Sequence, residues 1–148
     1  AGTEQAEQEA LDKDHALEFL EGVKQLKKAH SEGGRCLAAV HAMGYADDGT
    51  WYATDYYPRN TLKAWIARRG SMDDAALAQV VRCISAAALA LKRSRGYSHG
   101  NLKPSNIYLV GKPRPLRQTP LELGDIYPSG TARVDAADGL SYFLRSRI

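Results

Sequence analysis

The side chains best suited to chemistry gather in one stretch, Tyr97-Ser98-His99-Gly100-Asn101-Leu102-Lys103-Pro104-Ser105-Asn106-Ile107-Tyr108-Leu109-Val110. It holds an imidazole (His99), two amides (Asn101 and Asn106) and an ammonium (Lys103). A polar loop clamped between two apolar elements is where a scaffold commonly places function. An imidazole titrates near neutral pH, but inside such a loop it is expected to pack inward and hydrogen-bond to backbone, so His99 reads as structural first. Asn101 is neutral, and its amide cannot take a proton as a general base at ordinary pH. Lys103 reads equally as an anion contact and as an ordinary surface cation.

The elements that must hold this loop are legible on either side. Before it, Ser71-Met72-Asp73-Asp74 reads as a capping box opening a long helix. Leu77, Val81, Ile84, Ala88 and Leu91 recur along that helix at steps of four and three, which predicts its buried face. Lys92, Arg93 and Arg95 suit its C-terminal end, and Gly96 stops it. After the loop come a short strand, Ile107–Val110, a loop with three prolines and the cations Lys112, Arg114 and Arg117, and a strand at Leu121-Glu122-Leu123. That basic loop reads as solvated, with contact to an acidic partner as the alternative.

Further upstream, Glu4–His30 is rich in Ala, Leu, Glu and Lys, with Leu17, Leu20, Val23 and Leu26 at helical intervals beside Phe19. One or two helices are expected, broken at Gly33-Gly34. Arg35–Tyr45 reads as a strand around Cys36-Leu37-Ala38-Ala39-Val40, Asp47-Asp48-Gly49 as a hairpin turn, and Trp51–Tyr57 as the return strand. Asn60 is the expected N-cap of a helix over Thr61–Arg69, with Leu62, Trp65 and Ile66 inward. Trp51 and Trp65 read as packing residues.

Length and composition bound the function. The chain has 148 residues, which fits one domain, and its 44% hydrophobic and 25% charged content describes a globular protein. A net charge of +3 is too mild to announce nucleic acid. Cys36 and Cys83 lack metal-ligand spacing and read as buried free thiols, which suits a reducing, cytoplasmic interior. No apolar run approaches the roughly 18 residues that suggest a membrane span, and no signal peptide is visible. The opening Ala1-Gly2-Thr3 reads as a cloning remnant and the chain as a fragment of a longer one.

His99-Gly100-Asn101-Leu102-Lys103-Pro104-Ser105-Asn106 resembles the catalytic loop of eukaryotic-type Ser/Thr protein kinases, H-R-D-L-K-P-x-N. It keeps the His, Leu, Lys, Pro and Asn. Gly100 stands for the Arg and Asn101 for the catalytic Asp. Leu121-Glu122-Leu123-Gly124-Asp125-Ile126-Tyr127 is similar to the strand entering the D-F-G motif, with Ile126 and Tyr127 in place of Phe and Gly. The order of helix, hairpin, short helix, long helix and loop is similar to a kinase from helix C onward. The fold this implies is α+β, mostly the helical large lobe with a partial small lobe made of helix C and a β-hairpin. Residues 1–15 would be an N-terminal extension, 16–128 the kinase-like part, and 129–148 a tail like an activation segment.

Within that resemblance Thr54 stands at the gatekeeper and Asp55-Tyr56-Tyr57 at the adenine-facing hinge. Lys103 would approach a γ-phosphate, and Asn106 with Asp125 would hold magnesium through their oxygens. The departures weigh against catalysis. No G-x-G-x-x-G loop and no V-A-I-K-like strand Lys precede the first helix. The helix-C Glu falls at Gly22, with Glu21 one residue off, a rotation of about 100°. Losing a general base alone commonly slows an enzyme about 10²–10⁴-fold. With Gly100, the Arg that receives an activation-loop phosphate is also gone. The resemblance therefore implies a pseudokinase module that binds, regulates or scaffolds, with no cofactor expected and ATP and magnesium weak at most. A protein partner or self-association is expected. Two other readings stay open: a weakly active Ser/Thr kinase whose Gly-rich loop and Lys lie outside this chain, and a plain helical interaction domain.

Overall fold

A computed structural model of the chain describes residues 2–47 and 49–126. Among the described residues, three α-helices and two small antiparallel sheets give an α+β architecture. Helix α1 (Gly2–Ser31) is one continuous element of good helix formers. Its C-terminal half enters the core through Val23, Leu26 and Ala29 at steps of three. Residues 2–10 and 13–15 are exposed. The chain leaves α1 at Gly33, whose φ of +87° suits glycine, and the Gly34 N–H closes the end on the Ala29 carbonyl at 3.0 Å. A Cβ at Gly34 would come within 2.6 Å of that carbonyl oxygen and 2.8 Å of Leu37 Cδ1, so glycine is required sterically there.

Strands β1 (Ala42–Ala46) and β2 (Gly49–Ala53) form a hairpin with Met43 opposite Tyr52 and Gly44 opposite Trp51. Helix α2 (Leu62–Arg69) buries Leu62 and Ile66. Helix α3 (Asp74–Arg95) is the central strut. Asp73 Oδ1 accepts from the Ala76 N–H at 2.7 Å to cap its start, and left-handed Gly96 closes its end on the Lys92 carbonyl. Its buried residues are Ala76, Val80, Cys83, Ala87 and Leu91, and the helix packs against α1, β4 and the 116–118 turn.

Strands β3 (Ile107–Leu109) and β4 (Leu121–Leu123) pair with Ile107 opposite Leu123 and Leu109 opposite Leu121. Two single bridges widen this sheet: Leu37 lies parallel to Leu123, and Thr61 antiparallel to Tyr108. The first is fixed by Ala38 N–H to Leu123 O and Leu123 N–H to Cys36 O, both 2.8 Å. Leu37, Ile107, Leu109, Leu121 and Leu123 are all at most 1% exposed. At roughly 1.5–3 kcal/mol for each large aliphatic side chain buried, this layer makes a large contribution to the hydrophobic driving force. It also fixes where the loop before β3 and the residues after β4 meet.

Several expectations are corrected. Cys36–Val40 makes only bridge contacts, because its backbone serves the edge of β4, and the hairpin strand starts later at Ala42. The return strand ends at Ala53, short of Tyr57. Thr61, not Asn60, caps α2 through Oγ1 to the Ala64 N–H, while Asn60 takes φ of +64° and lends its carbonyl to Leu109. The α3 stripe is rotated: Val81 is 50% exposed, Leu77, Ile84 and Ala88 are partly buried, and of the expected stripe only Leu91 lies fully inside. Trp51 is exposed on the hairpin over Gly44, whereas Trp65 packs against the core. Cys83 is buried and Cys36 half-buried, and the two thiols are neighbours. Burial, with Cys83 beside it, pushes the Cys36 thiol up to about 12. Among the described residues one helix, α3, is long and apolar enough by length and composition to cross a bilayer, a test that core helices also pass. The tail 129–148 and Tyr127 lie outside the described residues.

Candidate functional site

The loop after α3 is organised from the helix end. The Arg95 guanidinium lies over the Tyr97 ring, 4.3 Å from its centroid, and donates to the carbonyls of Tyr97, Ser98 and His99. Cations at a helix C-terminus are electrostatically favoured, so the same charge ends α3 and gathers the loop's carbonyl oxygens. Burial lowers the Arg95 pKa. Gly100 turns the chain at φ of +80°.

His99 is 2% exposed. Its Nδ1 accepts the Asn101 backbone N–H at 3.0 Å. A backbone N–H can only donate, so the ring proton sits on Nε2, which donates to the Gly124 carbonyl at 2.7 Å. Burial holds the imidazole neutral, lowering its pKa to about 4 against the partial support of that carbonyl. Asn101 and Asn106 continue the same bracing. Asn101 Nδ2 donates to the Asp125 carbonyl at 2.9 Å, and Asn106 Nδ2 to the Asn101 carbonyl at 2.9 Å. The Asn106 carbonyl in turn accepts the Gly124 N–H at 3.0 Å. The His99 and Asn101 side chains and the Asn106 backbone carbonyl thereby clamp the loop onto the segment that leaves β4, while the Asn106 side chain braces the loop internally.

Asp125 sits in the left-handed region at φ of +53°, which Asp tolerates better than most residues. Each oxygen of its carboxylate accepts one hydrogen bond. Tyr52 donates its hydroxyl to Oδ1 at 2.8 Å and Tyr108 donates to Oδ2 at 3.1 Å. Burial first, and the Asp125 charge second, push both phenols well above the ordinary tyrosine range. Tyr108 also stacks on Tyr57 at 4.7 Å, and Tyr57 donates to Glu122 Oε1 at 2.6 Å.

A cavity of about 410 Å³ opens between α1, the hairpin and this loop. Asn101, Asn106 and Asp125 form its polar wall, with Tyr52, Phe19 and Ile126 beside them. Asn101 Oδ1 is buried with no hydrogen-bond partner. On the helix side Gly22 lines the cavity, and Glu18, one turn before it, does as well. Glu21 is exposed and accepts from Gln25. Of the residues singled out by sequence, Asn101, Asn106 and Asp125 are therefore brought together. His99 braces the loop, and Lys103 is outside the cavity lining. Thr54, Asp55, Tyr56 and Tyr57 are also outside it: Asp55 pairs with His41 at 2.6 Å, Tyr56 is 88% exposed, and Tyr57 faces Glu122. Sequence reasoning missed Tyr52, Tyr108 and Glu18. Alternation in Ile107-Tyr108-Leu109 was the available signal, since it turns Tyr108 to the face opposite two buried aliphatics.

Toward a divalent cation the site offers one carboxylate, whose two oxygens each already accept a phenol hydrogen bond, and the unpartnered Asn101 Oδ1. Among the described residues no group of three or more His, Cys, Asp or Glu side chains is placed to hold a metal. Compared with known proteins, the chain matches no family model and no curated protein.

Proposed function

We propose that this chain is a non-catalytic, protein-kinase-like module whose role is to bind and scaffold a protein partner. One observation carries the reading. The two positions that in a kinase act on the phosphate-transfer reaction, Asn101 and Asp125, are spent on each other and on tyrosines. Asn101 holds the Asp125 backbone, and the Asp125 carboxylate accepts from Tyr52 and Tyr108. The shared placement of Asn101, Asn106 and Asp125 around one cavity beneath a long helix supports the kinase-like part of the reading. The neutral amide at Asn101 supports the non-catalytic part.

Titration calorimetry with magnesium-ATP tests it. This sequence shows no G-x-G-x-x-G loop and no V-A-I-K-like Lys to grip phosphates, so the expected result is no saturable heat at micromolar concentrations. A dissociation constant near or below about 10 μM, roughly −7 kcal/mol, that Asp125→Ala abolishes would contradict the reading.

A further inference from the structure

A second concavity, of about 1020 Å³, lies between α2, the start of α3 and the 112–117 segment. Arg59, Arg68, Arg69, Arg114 and Arg117 line it, over a floor that includes Trp65. The lone acid there, Asp73, has Oδ1 engaged in capping α3, so cations outnumber carboxylates five to one. The groove is built: the Arg59 guanidinium donates to the carbonyls of Lys112 and Arg114 and to Thr119 Oγ1, tying the basic segment down. Burial and then the charges of Arg114 and Arg68 lower the Arg59 pKa, so these cations stand close enough to repel one another. No ion pair among the described residues neutralises them. An anionic ligand would relieve that repulsion.

The same chain carries a complementary surface. The N-terminal half of α1 contains Glu4, Glu7, Glu9, Asp12 and Asp14 against Lys13 alone. Glu4, Glu7 and Asp14 are exposed and, at 100° per residue, fall within about 80° of one another around the helix, with Lys13 on the far side. This half of α1 runs beside the hairpin, where Glu9 and Lys13 share a surface with Tyr45 and Asp47. None of its residues lines the arginine groove, so one molecule does not bring the two surfaces together. We propose that the arginine-lined groove docks the acidic N-terminal half of α1 from a second copy of this chain. The two surfaces differ, so the contact is head-to-tail and builds rings or chains of copies. The proposal stands on charge and geometry alone and does not depend on the kinase-like reading.

Light scattering of the full chain across a concentration series tests it, in about 20 mM and in about 500 mM salt. The expected mass rises with concentration at low salt and falls back to monomer at high salt. Arg68→Glu with Arg69→Glu, both exposed, is expected to weaken association at least tenfold. Arg114→Glu with Arg117→Glu, on the opposite wall, is expected to do the same, which guards against a folding defect in one variant. A Glu4→Arg, Glu7→Arg, Asp14→Arg chain should be equally impaired alone, yet associate when mixed with the Arg68→Glu, Arg69→Glu chain. A wild type that stays monomeric at low salt overturns the proposal, even if it binds an added phosphopeptide or oligonucleotide. So does association that survives both arginine variants, or a mixture that fails to restore it.

Discussion

Asp125→Ala is expected to lower folding stability by about 2–4 kcal/mol, because two half-buried phenols lose their acceptor together. A donor left unsatisfied costs about 1–3 kcal/mol, less where water can reach it. Tyr52 and Tyr108 both donate to this carboxylate, one to each oxygen. The backbone adds to the loss, since φ of +53° is tolerated by Asp and Asn better than by Ala. Asp125→Asn keeps the conformation and one acceptor oxygen, so it should fall well short of the Ala variant. Urea denaturation of the two variants, read at equal slope, checks the order. Equal loss in both would show that the carboxylate pairings contribute nothing.

The second large effect is a pH dependence carried by His99. Its ring is held neutral in the fold, with a pKa lowered to about 4 from 6.5, chiefly by burial. Below pH 6.5 the unfolded chain binds a proton that the folded chain refuses, so stability falls as pH drops and levels off near pH 4. At about 1.4 kcal/mol per pH unit, the full loss amounts to about 3 kcal/mol. His99→Gln should flatten that slope between pH 6.5 and 4, though it also lowers stability at neutral pH. An NMR titration in which the His99 ring protonates near pH 6.5 while the chain stays folded would refute this.

The long helices were legible because their signals are local. Gly96 and the terminal cations of α3 mark its C-terminal end, and the structure uses them as such, whereas its start is capped by Asp73, two residues past the Ser71 that a capping box would use. The rotation of its buried face was not legible. Ala76, Val80, Cys83 and Ala87 are small, and what selects them over Val81 and Ile84 is close approach of α1 and β4, which no single helix encodes. Cys36–Val40 misled for a related reason. Its β-like composition is real, but it is used for two hydrogen bonds to Leu123 and not for a hairpin. At the site, His99, Asn101 and Asn106 stood out by type, and Asp125 only through the resemblance. Their hydrogen-bond partners did not, because Tyr52 and Tyr108 reach Asp125 from separate strands, across 73 and 17 residues of sequence.

The most direct measurement of the central claim is transfer of radiolabelled phosphate from ATP, with magnesium, to a generic protein substrate and to the chain itself. A non-catalytic module whose Asp125 is held by tyrosines predicts no incorporation above background, either by the natural sequence or by Asn101→Asp. Incorporation by the natural sequence that Asp125→Ala abolishes would contradict the account.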